Sequence, residues 1–152
     1  MPAANNIVTM KGLPELIAKT RKFKQSIQDD VDAELNASAL EIEANAKRLA
    51  PADFGAGGGL RGRFYVKTGV KLSKVVGNSS EYAAYQEFGT GVHAASYVKQ
   101  LPKDWQAYAM TFFINGEGRV PAHPFLFPAY EQERPLLIKR VKKILGWRRF
   151  FK

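Results

Sequence analysis

Few residues in this sequence have the types and spacing that catalysis or metal binding requires. The chain has no cysteine and two histidines, His93 and His123, with 29 residues between them. A zinc site or a catalytic triad needs His, Cys or carboxylate side chains that converge at recognisable spacing, and we find no such pattern. Glu81 and Glu87 lie six positions apart in a helical stretch, where they would not face each other. We therefore predict no enzyme activity, no catalytic residue, no metal site and no cofactor.

The glycine-rich stretch at residues 51–62 (PADFGAGGGLRG) contains a formal G-x-G-x-x-G match. A dinucleotide-binding fingerprint follows a strand and opens a helix. Here a helical pattern precedes the glycines and a strand-like run follows them, so we reject the match. Arg61 and Arg63, at the end of the stretch, are candidates for a subunit-facing or DNA-facing surface.

Two short aromatic stretches are the most distinctive part of the chain. Residues 81–91 read EYAAYQEFGTG, in which Tyr82, Tyr85 and Phe88 recur at three-residue spacing, as along one face of a short helix. We expect Gly89 to end that helix, because glycine tolerates the left-handed conformation found there. Residues 121–129 read PAHPFLFPA, whose prolines predict a rigid extended segment or edge strand that leads into a helix.

The apolar pattern predicts an α+β fold, in which a long N-terminal helix packs on a small antiparallel β-sheet with a short middle helix and a C-terminal helix. Apolar residues recur at steps of three, four and seven from residue 13 to residue 49. Neither glycine nor proline interrupts residues 15–50, so the pattern allows one long helix, or two with a break near residues 24–30. Pro51 is expected to end it.

Strand character follows the glycine-rich stretch. Residues 64–76 predict two strands around a turn near Thr68 and Gly69, or one strand with a bulge. In the strand region, the side chains expected on one face are Phe64, Val66, Val70 and Leu72.

The second half of the sequence has a clear turn and a clear last helix. The dipeptide Asn115-Gly116 predicts a further hairpin. In the last helix the apolar spacing indicates one buried face, and Gly146 suits the C-terminal cap. The residues expected to be buried there are Leu137, Val141, Ile144 and Leu145.

Length and composition favour a single globular domain. The chain has 152 residues, 45% of them hydrophobic, which is enough for one core. No run approaches 18 apolar residues, so we predict no membrane span. We divide the chain into a flexible arm at residues 1–11, a domain at residues 12–146 and a basic aromatic tail at residues 147–152. The absence of cysteine fits synthesis in a reducing cytoplasm.

The net charge of +9 is strongly segregated along the chain. Residues 29–43 contain six acids and no Lys or Arg, whereas eight bases and no acid follow Glu133. Such segregation favours a polyanionic partner or complementary contact between copies of the chain, with solvated faces as the alternative. The C-terminal candidates for a subunit-facing or DNA-facing surface are Lys142, Lys143, Arg148 and Arg149.

The order of these motifs resembles that of a phage family. The motif order is similar to that of small head–tail connector, neck or tail-completion proteins of long-tailed lambdoid-type bacteriophages and prophages. It runs from a long helix through an Ala-Pro-x-Asp-x-Gly element, Leu-Arg, a β region, YA-x-Y-x-EFGTG and PFL-x-PA to a last helix. The resemblance covers residues 12–146, and EFGTG followed by PFL-x-PA is its most specific part. The matching residues are Ala50, Pro51, Asp53, Gly55, Leu60, Arg61, Tyr82, Ala83, Tyr85, Glu87, Phe88, Gly89, Thr90, Gly91, Pro124, Phe125, Leu126, Pro128 and Ala129.

This resemblance implies a non-enzymatic virion protein, assembled in the host bacterial cytoplasm. It implies a homo-oligomeric ring, a hexamer or dodecamer, at the neck or tail top, where it would join the DNA-filled head to the tail. The implied partners are further copies of the chain and other neck and tail proteins, with non-specific contact to genomic DNA in the channel and none to a membrane. The motif residues with implied fold or assembly roles are Pro51, Asp53, Gly55, Tyr82, Tyr85, Glu87, Phe88, Gly89, Thr90, Pro124, Phe125 and Pro128.

The alternative function is a host nucleic-acid-binding domain that acts through its basic C-terminal helix and tail. The net charge and the WRRFFK sequence at residues 147–152 favour it. Against it, the sequence has no helix-turn-helix, zinc-finger or RNA-binding aromatic signature.

Overall fold

A computed structural model describes residues 12–52, 59–110 and 117–147 of the protein. Within these ranges the fold is α+β and mostly helical, which confirms the predicted class. The helices are α1 (Leu13–Leu49), α2 (Ala83–Phe88), α3 (Gly91–Val98), α4 (Lys103–Met110) and α5 (Leu126–Trp147). A 3-10 turn at Arg61–Arg63 precedes the strands β1 (Phe64–Thr68) and β2 (Lys74–Asn78). The predicted hairpin at Asn115-Gly116 lies outside the described residues.

Helix α1 is continuous, so the alternative with a break near residues 24–30 is wrong. Gly12 precedes the helix with φ 92°. Pro14 lies in the first turn, where backbone N–H groups have no acceptor within the helix, so proline loses no hydrogen bond there. Ala50 leaves the helical region because it precedes Pro51, whose ring disfavours a helical neighbour. The 37 residues give a helix about 55 Å long.

Helix α5 packs antiparallel against α1. Ala46 and Ala50 at the end of α1 share a buried cluster with Phe125 and Ala129 around the start of α5. The small alanine side chains let the two helices approach closely. The cluster also contains Phe64 from β1, Leu60 and Ala83. The rings of Phe64 and Phe125 meet edge to face with centroids 5.7 Å apart.

Two predictions about the end of α5 are wrong. The helix continues through Gly146 to Trp147, so Gly146 is not its cap. Leu145 is 49% exposed, whereas the other three predicted residues of the face are half-buried. At 100° per residue, Leu145 points roughly 70° away from the middle of the stripe formed by the other three residues, which places it at the edge of the contact with α1.

The strands form an antiparallel hairpin, which is the two-strand alternative predicted from the sequence. Its register runs from Phe64 opposite Asn78 to Thr68 opposite Lys74. The predicted common face is wrong beyond β1, since Val70 is 83% and Leu72 is 42% exposed. Both lie in the five-residue connection between the strands, where the alternation of strand side chains no longer applies.

A second buried cluster lies under the short helices. It contains Phe88, Val98, Leu101 and Ala109, and the half-buried Trp105 packs against it. Pro102 separates α3 from α4, as expected of a proline between two helical segments. The cluster places the end of α2 beside α4, and this arrangement builds the site described next.

Candidate functional site

The carboxylate of Glu87 lies at the N-terminus of α5. Its Oε2 atom accepts hydrogen bonds from the backbone N–H groups of Phe125 and Leu126, both at 2.8 Å, and Oε1 accepts one from Phe127 at 2.9 Å. The first N–H groups of a helix have no acceptor within the helix. Sequence around the start of α5 offers no Ser, Thr, Asp or Asn as a local cap. Glu87, 38 residues earlier in the chain, therefore supplies the cap and a negative charge at the positive end of the helix dipole.

Gly89 and Thr90 bring the two aromatic stretches together. The Thr90 N–H donates to the Val120 oxygen, and the Val120 N–H donates to Thr90 Oγ1, both at 2.9 Å. Gly89 has φ 75°, and a Cβ atom there would lie 2.8 Å from the Ala122 nitrogen and 2.9 Å from the Val120 oxygen. Only glycine permits both this conformation and this approach of the backbone.

The segment before α5 belongs to no strand among the described residues, so the edge-strand alternative for residues 121–129 is wrong. Its backbone is instead bonded to the end of α2, since the His123 N–H donates to the Gln86 oxygen at 2.7 Å. The predicted continuation into a helix is right, because α5 starts at Leu126.

Burial governs the ionisation of Glu87. The residue is 3% exposed, and this burial raises the pKa of its carboxyl, while the three N–H donors act in the opposite direction. The nearby Tyr97 hydroxyl has its pKa raised by burial and by the charges of Glu87 and Glu131. Its oxygen is buried without a hydrogen-bond partner among the described residues.

A groove of about 530 Å³ lies beside Glu87, between β2, α2, α4 and the start of α5. We call it the aromatic groove, since its lining includes Tyr65, Phe88, Trp105, Tyr108 and Phe125. Phe88 meets Trp105 and Tyr108 edge to face, with centroids 6.5 and 6.1 Å apart. A concave surface lined by apolar and aromatic side chains is typical of ligand-binding sites.

The charge of the aromatic groove contrasts with that of the whole chain. Its described lining holds three carboxylates, from Glu81, Glu87 and Asp104, and no Lys, Arg or His. Glu81 and Asp104 are exposed, so their charges lie at the rim, whereas Glu87 lies at the base. Asp104, Trp105 and Tyr108 are not predicted as site residues from the sequence, because the pattern around Pro102 does not indicate which side of the fold they present.

The motif residues named from the sequence are placed in different surroundings. Phe88 and Phe125 are buried at 3% and 1% exposure, whereas Tyr82 precedes α2 and is 39% exposed. The three aromatic residues of residues 81–91 therefore do not form one buried face. Among the other motif residues, Gly89 is buried. The half-buried motif residues are Pro51, Tyr85, Thr90, Pro124 and Pro128. Asp53 and Gly55 lie outside the described residues.

Among the described candidate basic residues, Arg61 is exposed but hydrogen-bonded within the chain. Arg61 donates from Nε and Nη2 to the Ala50 oxygen, at 3.0 and 2.9 Å, and so binds a carbonyl just past the end of α1. Arg63, Lys142 and Lys143 are exposed. Arg148 and Arg149 lie outside the described residues.

A polar network joins the middle of α1 to α5. Ser38 Oγ donates to Glu133 Oε1 at 2.8 Å, and the Arg140 guanidinium binds Glu133, Ser38 and, at 2.8 Å, Glu34. The carboxylates of Glu133 and Glu34 raise the pKa of Arg140, with the Glu133 hydrogen bond as the largest cause. Acids of residues 29–43 form ion pairs within the chain, since Asp32 binds Lys74, Glu34 binds Arg140 and Glu43 binds Lys47.

The N-terminal part of α1 extends beyond this packing. Arg140 lies beside Glu34, so in the antiparallel pair the last residue of α5 lies near the level of residue 27. Every residue from 13 to 25 is exposed. Among them Leu13, Leu16 and Ile17 are 49%, 60% and 45% exposed, on one side of the helix.

Comparison with known proteins gives one family match. A family model described as "Bacteriophage HK97-gp10, putative tail-component" matches residues 14–89, which is half of the chain. The matched part covers nearly all of α1, the hairpin and α2 up to Gly89. Searches of the curated proteins and of the solved structures gave no match. None of the described helices is long and apolar enough to cross a membrane.

Proposed function

This chain belongs to the HK97-gp10-like family of phage tail components, and we propose that it forms a homo-oligomeric ring that completes the tail and joins it to the DNA-filled head. Membership of this family makes it a phage structural protein of the virion that interacts with other tail proteins, and the family is not a known enzyme class. Ring formation, the neck position and head–tail joining are the proposal. The chain would act as a single domain, with residues 1–11 and 147–152 available for contacts.

The exposed N-terminal part of α1 is the observation that carries the proposal. Leu13, Leu16 and Ile17 continue the apolar stripe of α1 past the end of α5, where no described residue covers them. Full burial of each large apolar side chain is favourable by about 1.5–3 kcal/mol of free energy. A second copy of the chain is the cover we propose. Where the stripe packs on a different surface of that copy, repetition of the contact around an axis closes a ring.

Solution mass tests the ring directly. Light scattering of the purified protein should give a discrete multimer, six or twelve times the 16.9 kDa chain mass. Replacement of Leu16 and Ile17 by glutamate should shift the protein to monomer with an unchanged far-UV circular dichroism spectrum. The matched control is Leu40→Glu, since Leu40 lies on the same helix and is 50% exposed. A wild-type monomer at all concentrations, or equal dissociation by the control, would contradict the proposed ring.

Contact with DNA in the ring channel is a further part of the proposal. The exposed Lys142 and Lys143 on α5 and the net charge of +9 support a weak, sequence-independent contact with phosphates. The same light scattering with duplex DNA should show association at about 50 mM salt that is lost by about 200 mM. Tight DNA binding by a monomer would favour the alternative of a host nucleic-acid-binding domain, for which the family match gives no support.

A further inference from the structure

The aromatic groove has the chemistry of a site for a basic aromatic segment. It combines the rim carboxylates of Glu81 and Asp104 with the rings of Trp105 and Tyr108. A carboxylate rim attracts Arg and Lys, and ring faces accept both aromatic side chains and guanidinium groups. The described lining has no Lys, Arg or His beside Glu81 and Asp104, whereas the carboxylate of Glu87 is already bonded to three backbone N–H groups. A cationic occupant would balance the two rim charges.

Residues 148–152 of the chain have the complementary composition. They read RRFFK, with three bases, two phenylalanines and no acid. Another candidate occupant, residues 111–116, reads TFFING and carries no charge. Only residues 148–152 match both the acidic rim and the aromatic lining, so charge complementarity favours them over residues 111–116.

Distance excludes these residues from the groove of their own chain. Trp105 packs on Phe127 and Tyr130 near the start of α5, with ring centroids 4.9 and 5.9 Å apart. From Tyr130 to Trp147 the helix spans 17 further residues, a rise of about 25 Å. The backbone of the five residues that follow Trp147 reaches at most about 18 Å when fully extended. The backbone of Arg149, two residues past Trp147, reaches only about 7 Å. Another copy must therefore supply the segment.

We propose that residues 148–152 of one copy bind in the aromatic groove of the next copy. Arg148 and Arg149 would lie against Asp104 and Glu81, and Phe150 and Phe151 among the rings. Donor and acceptor surfaces differ, so the contact is head-to-tail and can repeat around a ring. The inference rests on the proposed ring and identifies one of its contacts, in addition to the exposed part of α1.

Engineered disulfides test this contact in the full chain, because the chain has no native cysteine. One chain carries Ala84→Cys, a small residue of the groove lining, and a second, tagged chain carries Lys152→Cys, which keeps both arginines and both phenylalanines. After mixing and mild oxidation we expect a disulfide-linked heterodimer, and a ladder of multimers from the chain with both changes. The matched control for the groove position is Leu40→Cys, which should give about tenfold less heterodimer. A tenfold ratio corresponds to a difference of about 1.4 kcal/mol in binding free energy.

Charge exchange adds specificity to the test. The changes Glu81→Lys and Asp104→Lys together in the groove chain should lower the heterodimer yield about tenfold. The changes Arg148→Glu and Arg149→Glu together in the tagged chain should then restore the yield. The control is Glu41→Lys, an exposed acid on α1 outside the groove.

The possible failures separate the two proposals. A multimeric protein that gives no Ala84–Lys152 disulfide would overturn the groove contact and leave the ring intact. A monomer by light scattering that gives no disulfide would overturn both. Disulfide formation within one chain, or equal yields with the Leu40 control, would also overturn the groove contact.

Discussion

Replacement of Glu87 by alanine should destabilise the fold far more than replacement of an exposed carboxylate. The change removes the acceptor of three backbone N–H groups at the start of α5. A hydrogen bond to a charged group contributes about 1.5–3 kcal/mol, and a buried donor left without a partner costs a similar amount. Glu87 borders the aromatic groove, so water can hydrate part of the freed donors, and removal of a buried charge offsets a further part. We expect a loss of about 3–5 kcal/mol.

Glutamine at the same position should cost less, about 1–2 kcal/mol. Its amide oxygen can keep the bonds from Phe125 and Leu126, whereas its NH₂ group would face the N–H of Phe127. Urea unfolding followed by far-UV circular dichroism, at fixed protein concentration, measures both changes. The control is Glu41→Ala on the exposed side of α1, with an expected change within about 0.5 kcal/mol. A loss below 1 kcal/mol for Glu87→Ala, or a larger loss for glutamine than for alanine, would refute this account of the cap.

The pH dependence of the glutamine variant tests the effect of burial. Burial raises the pKa of Glu87 above its ordinary value of 4.5, so the folded state holds this proton more tightly than the unfolded state. The stability that this group contributes is therefore fully present below pH 4.5 and decreases as the pH rises through the folded-state pKa. Glutamine does not titrate, so the penalty of Glu87→Gln should be larger at pH 4.5 than at pH 7. A penalty that increases with pH would mean that the three N–H donors outweigh burial.

Three further changes have expected outcomes that the same unfolding assay checks. Gly89→Ala should cost about 3 kcal/mol or more, because a positive φ costs about 1–2 kcal/mol and its Cβ would overlap the Val120 oxygen; a change below 1 kcal/mol would contradict this. Gly146→Ala is the matched control and should stabilise by about 0.5–1 kcal/mol, since its Cβ would meet nothing within 4 Å in a helix. Arg140→Ala should cost about 2–4 kcal/mol, because it leaves the buried Glu133 carboxylate without its cation; a neutral result would mean that the network adds no net stability.

Local features of the sequence were sufficient for several elements. The periodicity of residues 13–49 predicts α1, because a helix interior without Gly or Pro depends mainly on its own pattern. Gly89 is a correct prediction of a helix stop, since its positive φ is a local property of glycine. The turn near Thr68 and Gly69 is also predicted correctly, although the positive φ in this connection belongs to Lys71. The motif order also identified the phage family, which the match to residues 14–89 confirms.

Predictions that depended on which neighbour covers a residue were less successful. Leu145 and Val70 are apolar and fit a stripe or an alternation, yet both are exposed. Their burial depends on where α1 ends its contact with α5 and where the strands give way to the turn. Neither limit is set by the local sequence, because both follow from how distant elements meet.

Local sequence was sufficient to predict helix over residues 13–49, strand character in residues 64–76, the helix stop at Gly89 and the family, but it left open one helix or two and two strands or one. The role of Glu87 follows from the packed fold, because Glu87 lies 38 residues from the first N–H group that it binds. The packed fold also places Asp104 and Trp105 in one groove with Glu81. Helices and turns arise from interactions between residues close in sequence, whereas a remote cap and a groove require the packing of several elements to place their side chains.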